Sequence, residues 1–303
     1  GGATPATQDN VATLRRHGVH LLGPDVGSQA CGETGSGRML EPVEIAAAAA
    51  TLLADRPPRA AALRVVTAAT EESRSLGGLR VLITAGPTRE PIDPVRYITN
   101  RSSGKMGFAV AAAARAVGAE VVLVAGPVSL PTPEGVRRID VETAAEMASA
   151  VEREAPGLDV FVGTAAVADY RPATRSLRKL KKTSERLDLP LERTTDILTM
   201  VAARSDRPFV VGFAAETHDV EQYARDKLRS KKLDLIAANE VGEGKAFDRD
   251  DNALVLLWAD GRLEIGPASK DEVARRLIEI IGLRLVESRA RGVNYRGSAG
   301  GET

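Results

Sequence analysis

The chain has 303 residues, of which 43% are hydrophobic, 27% charged and 3% aromatic, with 41 Lys plus Arg balancing 41 Asp plus Glu. That length holds one large or two ordinary domains, and zero net charge excludes a protein that holds nucleic acid by bulk electrostatics. One cysteine excludes an intramolecular disulfide and a cysteine-rich metal cluster, and it suits a reducing, cytoplasmic compartment.

In chain order, residues 1–55 carry turn signals and one alanine-rich helix candidate, Glu44 to Ala54. Ile45 to Ala54 is the longest apolar stretch and is too short to span a membrane. No charged-then-apolar signal opens the sequence, and Gly1 stands first, as in a processed or truncated chain. Residues 56–78, with Pro57-Pro58 and Gly77-Gly78, read as a linker.

From Leu79 short β-rich runs alternate with helical ones: Arg80–Thr84, Met106–Val117, Glu120–Val124, Ala144–Glu154, Asp159–Thr164 and Asp196–Arg204. Phe209–Phe213, Val220–Lys232, Asp234–Ala237 and Ser269–Glu287 continue the pattern to residue 288. Strands joined by helical crossovers predict an α/β fold, a doubly wound Rossmann-like sheet that is mostly parallel. Leu187–Leu191, Ala253–Leu257 and Arg262–Ile265 are short and turn-bounded, so they are expected as a hairpin extension at an edge. The Gly-, Arg- and Ser-rich residues 289–303 are expected to be a disordered tail.

Open α/β sheets bind ligands beyond the carboxyl ends of their strands. The connection from Gly86 to Gly104 far exceeds the usual length and ends in Asn100, Arg101, Ser102, Ser103 and Gly104 before a helix, a suitable place for phosphate. Neither G-x-G-x-x-G nor a complete P-loop is present there, because Met106 stands where a P-loop has its hydroxyl. Asp169 follows Ala165-Ala166 at another strand end, where it can cap a helix, accept from a ribose or support Mg²⁺. Phe213 ends a third run and fits either the core or a base stack, and Lys227 and Lys231 share one helix face. Arg171 to Arg193 carry eight basic and three acidic residues, a local +5. His17, His20 and His218 form no metal-ligand pattern, and no hydrolytic triad is legible.

The segment Thr-Ala-Gly-Pro-Thr-Arg-Glu-Pro-Ile-Asp-Pro-Val-Arg-Tyr-Ile-Thr-Asn-Arg-Ser-Ser-Gly-Lys-Met-Gly resembles the signature of bacterial phosphopantothenate–cysteine ligases. Ala-Ala-Val-Ala-Asp-Tyr-Arg-Pro, Lys-Leu-Lys-Lys, Val-Gly-Phe-Ala-Ala-Glu-Thr and Asp-Asp-Asn-Ala follow in the family's order, so the resemblance runs from about Leu79 to Leu283. Near the start, Pro-Ala-Thr-Gln-Asp-Asn and Ala-Cys-Gly-Glu-Thr-Gly-Ser-Gly-Arg-Met resemble the end of the decarboxylase flavoprotein that is fused ahead of the ligase in the bifunctional enzyme. Residues 1–55 are then a remnant of that domain, and residues 79–288 are the ligase.

The resemblance implies CTP-dependent joining of phosphopantothenate to cysteine through an acyl-cytidylate. It assigns Asn100 and Arg96 to the phosphopantothenate intermediate and Lys179 to a flap used when cysteine attacks. Ala165, Ala166, Asp169, Thr195, Asp196, Ile197, Leu198, Phe213, Lys227 and Lys231 surround the nucleotide. Thr194-Thr195 replace the Asn-Pro common in the family, which leaves the path of that loop open. Cys31 matches the decarboxylase lid cysteine and is expected to be inactive without the rest of its domain. CTP is then a co-substrate, Mg²⁺ is held mainly by its phosphates, and FMN belongs only to the missing domain. The implied partners are the two substrates and a second ligase domain in a homodimer, with a higher oligomer in the full-length fusion. Rival readings are a nicotinamide-dependent oxidoreductase and a non-catalytic module that docks on flavoprotein subunits.

Overall fold

The computed structural model describes residues 25–28, 34–38, 76–181, 185–216, 218–240, 251–293 and 295. The chain divides into two compact units, Gly1–Ala68 and Ala69–Thr303. In the first, strands β1 (Asp25–Ser28) and β2 (Thr34–Arg38) form an antiparallel hairpin with Gly27 opposite Gly35. Cys31, the helix expected at Glu44–Ala54 and most of the expected linker lie outside the described residues.

The second unit begins with fully buried Leu76, inside the stretch read as linker. In chain order follow β3 (Arg80–Ala85), β4 (Arg89–Pro91), β5 (Tyr97–Thr99), α1 (Lys105–Ala116), β6 (Glu120–Ala125), β7 (Arg137–Asp140), α2 (Ala144–Glu154) and β8 (Val160–Gly163). Then come β9 (Tyr170–Pro172), β10 (Leu191–Arg193), α3 (Ile197–Ala202), β11 (Phe209–Glu216), α4 (Val220–Ser230) and β12 (Leu235–Glu240). A hairpin of β13 (Asp251–Trp258) and β14 (Gly261–Ser269) leads into α5 (Lys270–Ala290).

Eight strands form one sheet in the order β14-β13-β12-β11-β8-β3-β6-β7. The six from β7 to β12 pair in parallel, and β13 and β14 add an antiparallel edge. The α/β, mostly parallel sheet with an edge hairpin is therefore present. Central strands such as Val160–Gly163 and the Val81–Ile83 stretch of β3 are apolar on both sides because helices cover both faces. Val81, Ile83 and Ala85 of β3 pack with Phe108 and Ala111 of α1 and Leu277 and Ile281 of α5. Leu82, pointing the other way, packs with Met147 and Val151 of α2, Val201 of α3 and Leu228 of α4. Thr143 caps α2 by accepting from Glu146 N at 3.1 Å, and Ser269 caps α5 by accepting from Glu272 N at 3.3 Å.

Three expectations need correction. Leu187–Leu191 does not join the edge hairpin: Leu191–Arg193 pairs instead with Tyr170–Pro172 in a separate two-stranded sheet. The long connection after β3 is not all loop, since Arg89–Pro91 and Tyr97–Thr99 pair within it. The folded chain also runs past residue 288. Arg289 donates to buried Asp159 at 3.1 Å, and Tyr295 is 3% exposed, its ring edge-on to Phe209 at 5.6 Å.

Tyr295 Oη donates to Asp234 Oδ1 at 3.1 Å, while Asp234 Oδ2 accepts from Val210 N at 2.8 Å and pairs with Arg207. Burial pushes the Tyr295 phenol up to about 12. An unfolded tyrosine ionises near ~10, so the stability this phenol contributes is complete below about pH 10 and is lost as pH rises toward 12. Tyr295→Phe should cost about 1 kcal/mol at pH 8. Urea unfolding at pH 8 and pH 11 should show the gap between wild type and variant narrowing at the higher pH; an unchanged gap contradicts the assignment.

Candidate active site

The chain runs from β3 outward to β6 and β7, then returns to β8 on the opposite side of β3. The order of strands therefore reverses between β3 and β8, and a crevice opens beyond their carboxyl ends. The two ends are closely joined. Thr164 N and Oγ1 donate to Thr84 O at 3.1 and 2.6 Å, and Ala166 N donates to Gly86 O at 2.9 Å.

The connection leaving β3 is anchored residue by residue. Thr88, fully buried, accepts at Oγ1 from Ala168 N at 3.0 Å. Arg89 N donates to Glu142 O at 2.8 Å, and Glu90, 2% exposed, accepts from Ala144 N at the start of α2 at 2.8 Å. An anion at a helix start is favoured by the free N–H groups and the dipole there. Gly104, with φ of 75°, then turns the chain into α1, and its Cα side lies against Gly86. A Cβ on Gly107 would run into Thr164 Oγ1 and Ala85 Cβ, so only glycine lets α1 approach the strand ends this closely.

Two cavities occupy the crevice. The first, about 490 Å³, is lined by Thr84, Gly163, Ala165, Asp169, Thr195, Asp196, Ile197, Leu198, Phe213, Lys227 and Lys231, among others. Leu198 lies over Gly163 and Gly212, whose missing side chains make room for it. The second, about 600 Å³, runs along Asn100–Gly107 and includes Ala165, Ala166, Asp169, Phe213, Glu216, Lys227, Asn239 and Lys270. Ala165, Val167, Asp169, Phe213 and Lys227 line both, so the two spaces adjoin.

The cations are placed by the fold. Lys227 Nζ donates to Phe213 O at 2.7 Å. Burial pushes this ammonium below its ordinary range, and neighbouring Lys231 adds to the effect. Lys231 Nζ is 2.8 Å from Asp196 Oδ2, and Asp196 Oδ1 accepts from Thr199 N at 3.1 Å, capping α3. Burial opposes the charge on Asp196, but Lys231 and Thr199 outweigh it and hold the carboxyl below the usual range. A dianionic or trianionic ligand entering here meets a partly desolvated ammonium whose attraction water screens weakly. Asn100 Nδ2 donates to Val167 O at 3.0 Å, leaving its carbonyl side for a ligand in the second cavity. Thr194 Oγ1 donates to Ala168 O at 2.6 Å and Thr194 N to Asp169 O at 3.0 Å, which fixes the loop that presents Thr195.

Most of the residues singled out in the sequence thus converge. Two described ones do not line either cavity. Lys179 is exposed, and Arg96 is engaged with Asp93 and Leu180. Sequence reasoning assigned nothing to Glu216, Lys270 or Asp93. A lysine opening a helix, against the dipole, was the available signal for Lys270, which is 9% exposed. No group of three or more metal-binding side chains exists among the described residues, and none of their helices is long and apolar enough to cross a membrane.

Fold and cleft together define a doubly wound α/β domain with two adjoining cavities at its topological switch point. The chain belongs to the family described as DNA/pantothenate metabolism flavoprotein C-terminal domain, which it matches over residues 76–283. It is 50% identical over 280 residues to the coenzyme A biosynthesis bifunctional protein CoaBC of Vibrio cholerae, covering 91% of this chain and 66% of that one. The Escherichia coli protein of the same name is 47% identical over 291 residues, covering 94% and 68%. The chain therefore spans roughly two thirds of these relatives, and just under that for the first. The crystal structure of the C-terminal domain of a CoaBC protein superposes with a TM-score of 0.60 at 43% identity, covering 70% of this chain and 97% of that one.

Gly107→Ala should force α1 off the strand ends and cost about 1–3 kcal/mol, as overpacking does. Chemical denaturation measures this directly, and wild-type stability in the variant would contradict the close approach.

Proposed function

We propose that this domain is a phosphopantothenate–cysteine ligase of coenzyme A biosynthesis that uses CTP to activate its acid. Family membership, the CoaBC relatives and the motif resemblance support the reading. The observation that carries it is the pair of adjoining cavities with Ala165, Asp169, Phe213 and Lys227 on their common wall. Such a wall suits a reaction in which an acid is activated against a nucleotide in one space and used in the other.

A carboxylate resists amine attack because its charge is delocalised and its leaving group would be oxide. In the proposed reaction the carboxylate of phosphopantothenate attacks the α-phosphate of CTP, pyrophosphate leaves and an acyl-cytidylate forms. The cysteine amine then attacks the acyl carbon, CMP leaves with the bonding pair and the amide remains. The nucleotide would lie in the first cavity beside Thr195, Asp196, Ile197 and Leu198, with Lys227 and Lys231 facing its charge and Phe213 beside it. Asn100 and Ala166, in the second cavity, would orient the acyl group, with Arg96 taking part from outside it. Lys179 would swing in to steady charge as the amine attacks. Asp169, which lines both cavities, would assist Mg²⁺ held mainly by the nucleotide phosphates, and the ion would supply neutralisation of phosphate charge.

FMN and decarboxylation would belong to the flavoprotein region of a full-length chain, with Cys31 in its lid. A homodimer fits the exposed Val95, Tyr97 and Tyr170 on the neighbouring β4–β5 and β9–β10 ribbons. A cytoplasmic location follows from the pathway.

Mass spectrometry of the protein with CTP, phosphopantothenate and cysteine tests the reaction, and absence of the amide refutes it. Asn100→Ala should keep CTP binding while losing product by about 100-fold or more; product at the wild-type rate removes Asn100 from the mechanism. Lys179→Gln should let the acyl-cytidylate accumulate, and slow turnover with no trapped intermediate counts against a role in the second step.

A further inference from the structure

Asp93 lies in the turn between β4 and β5, 2% exposed, and five N–H donors close on its carboxylate. Oδ1 accepts from Val95 N at 2.8 Å and Arg96 N at 2.9 Å. Oδ2 accepts from Arg96 Nε at 3.0 Å, Arg96 Nη2 at 2.6 Å and Leu180 N at 3.1 Å. Arg96 Nη2 donates onward to Leu180 O at 3.1 Å, and Ser176 N donates to Ile92 O at 3.0 Å beside it. A single buried carboxylate therefore orients the Arg96 guanidinium and grips the main chain one residue beyond Lys179. The segment it grips is otherwise exposed, with Leu177 at 88%.

We propose that Asp93 is a positioning residue for the amide-forming half-reaction: it fixes Arg96 and the root of the Lys179 segment at one anchor, so that both cations are delivered to the acyl group in register. The inference rests on the ligase reading. A lysine one residue from a fixed amide searches a small volume, whereas a free loop of this length would disperse it, and orientation of this kind is a large part of rate acceleration. The Arg96 guanidinium holds the Asp93 carboxyl well below the usual carboxylate range, so the anchor stays charged wherever the enzyme works. Asp93 lines neither cavity and acts only through the groups it holds.

The test uses the full chain with Asp93→Asn, which keeps the volume but loses the charge, and Leu180→Pro, which removes the N–H that Leu180 offers to Asp93 and also fixes φ there; Leu180→Ala, which keeps the N–H, is the control for the lost side chain. Asp93→Asn and Leu180→Pro should both release pyrophosphate from CTP and phosphopantothenate within about threefold of wild type, accumulate acyl-cytidylate, and form amide about tenfold more slowly at saturating cysteine. Hydrogen exchange at the Leu180 amide should quicken about tenfold in Asp93→Asn. A merely structural role would slow both half-reactions alike, and that result overturns the proposal. So does a folded variant that turns acyl-cytidylate into amide at the wild-type rate, or one whose Leu180 exchange is unchanged. If Asp93→Asn fails to fold, Leu180→Pro decides by the same half-reaction ratio. A wild-type chain that forms no acyl-cytidylate refutes the ligase reading and this proposal with it, an outcome distinct from the variants failing alone.

Discussion

Thr88, Glu90 and Asp93, each no more than 2% exposed, carry the long connection after β3 across the mouth of the sheet, and the cleft depends on the hydrogen bonds they make. Buried polar groups are costly unless satisfied, so each must find a fixed partner, and each partner belongs to a different neighbour. Thr88 meets the strand-end loop after β8, Glu90 meets the start of α2, and Asp93 meets Arg96 and Leu180. The connection is thereby sewn to three segments far apart in sequence. Asn100 and the start of α1, at its far end, then arrive in a defined place.

The same economy governs the charges. Zero net charge hides local excess: residues 140–160 hold six acidic and one basic residue, while 171–193 carry +5 and Arg225 to Lys232 carry +4. Only part of that positive charge faces the cleft. Lys227 is drawn in by the Phe213 carbonyl, and Lys231 is balanced by Asp196, so the first cavity holds cations that are oriented before any ligand arrives. Preorganised charge of this kind needs no rearrangement when a polyanion binds. Among the described residues of the 171–193 segment, Lys179 and Lys181 are exposed, and between them Asp93 holds the backbone at Leu180.

How much of this was legible in the residues depended on how far each signal reached. The parallel strands β3, β6, β8, β11 and β12 declared themselves as apolar runs because both faces are covered, whereas the parallel edge strand β7, Arg-Arg-Ile-Asp, did not; strand-end loops drew attention to Asn100, Asp169 and Phe213 and a shared helix face to Lys227, all of which line the cleft. Arg-Glu-Pro, Tyr-Ile-Thr, Tyr-Arg-Pro and Leu-Glu-Arg are too short and too polar to show a period of two, so β4, β5, β9 and β10 stayed hidden. The tail looked disordered by composition, yet Phe209 and Asp234 give Tyr295 a ring contact and an acceptor that composition cannot reveal. The tie from Arg96 to Leu180 spans 84 positions, beyond any local pattern.

These distances along the chain explain why one connection serves both architecture and chemistry. A short βα loop would close over the end of β3 and leave the switch point with only a helix start. The longer connection makes an excursion through β4 and β5, gathers Arg96 on the way, and returns to place Asn100 within 3.0 Å of Val167 O, on the wall shared by the two cavities. Its first half is held by buried bonds to other segments; its last residues, Ser102 and Ser103, accept local bonds from Gly104 N and Lys105 N at 3.2 and 3.4 Å. Bonds that long exchange readily for a ligand oxygen, whereas the buried carboxylates upstream have no such alternative. Anchoring bonds and cavity-lining residues are thus divided along a single stretch of chain, with Asp93 the last of the buried anchors.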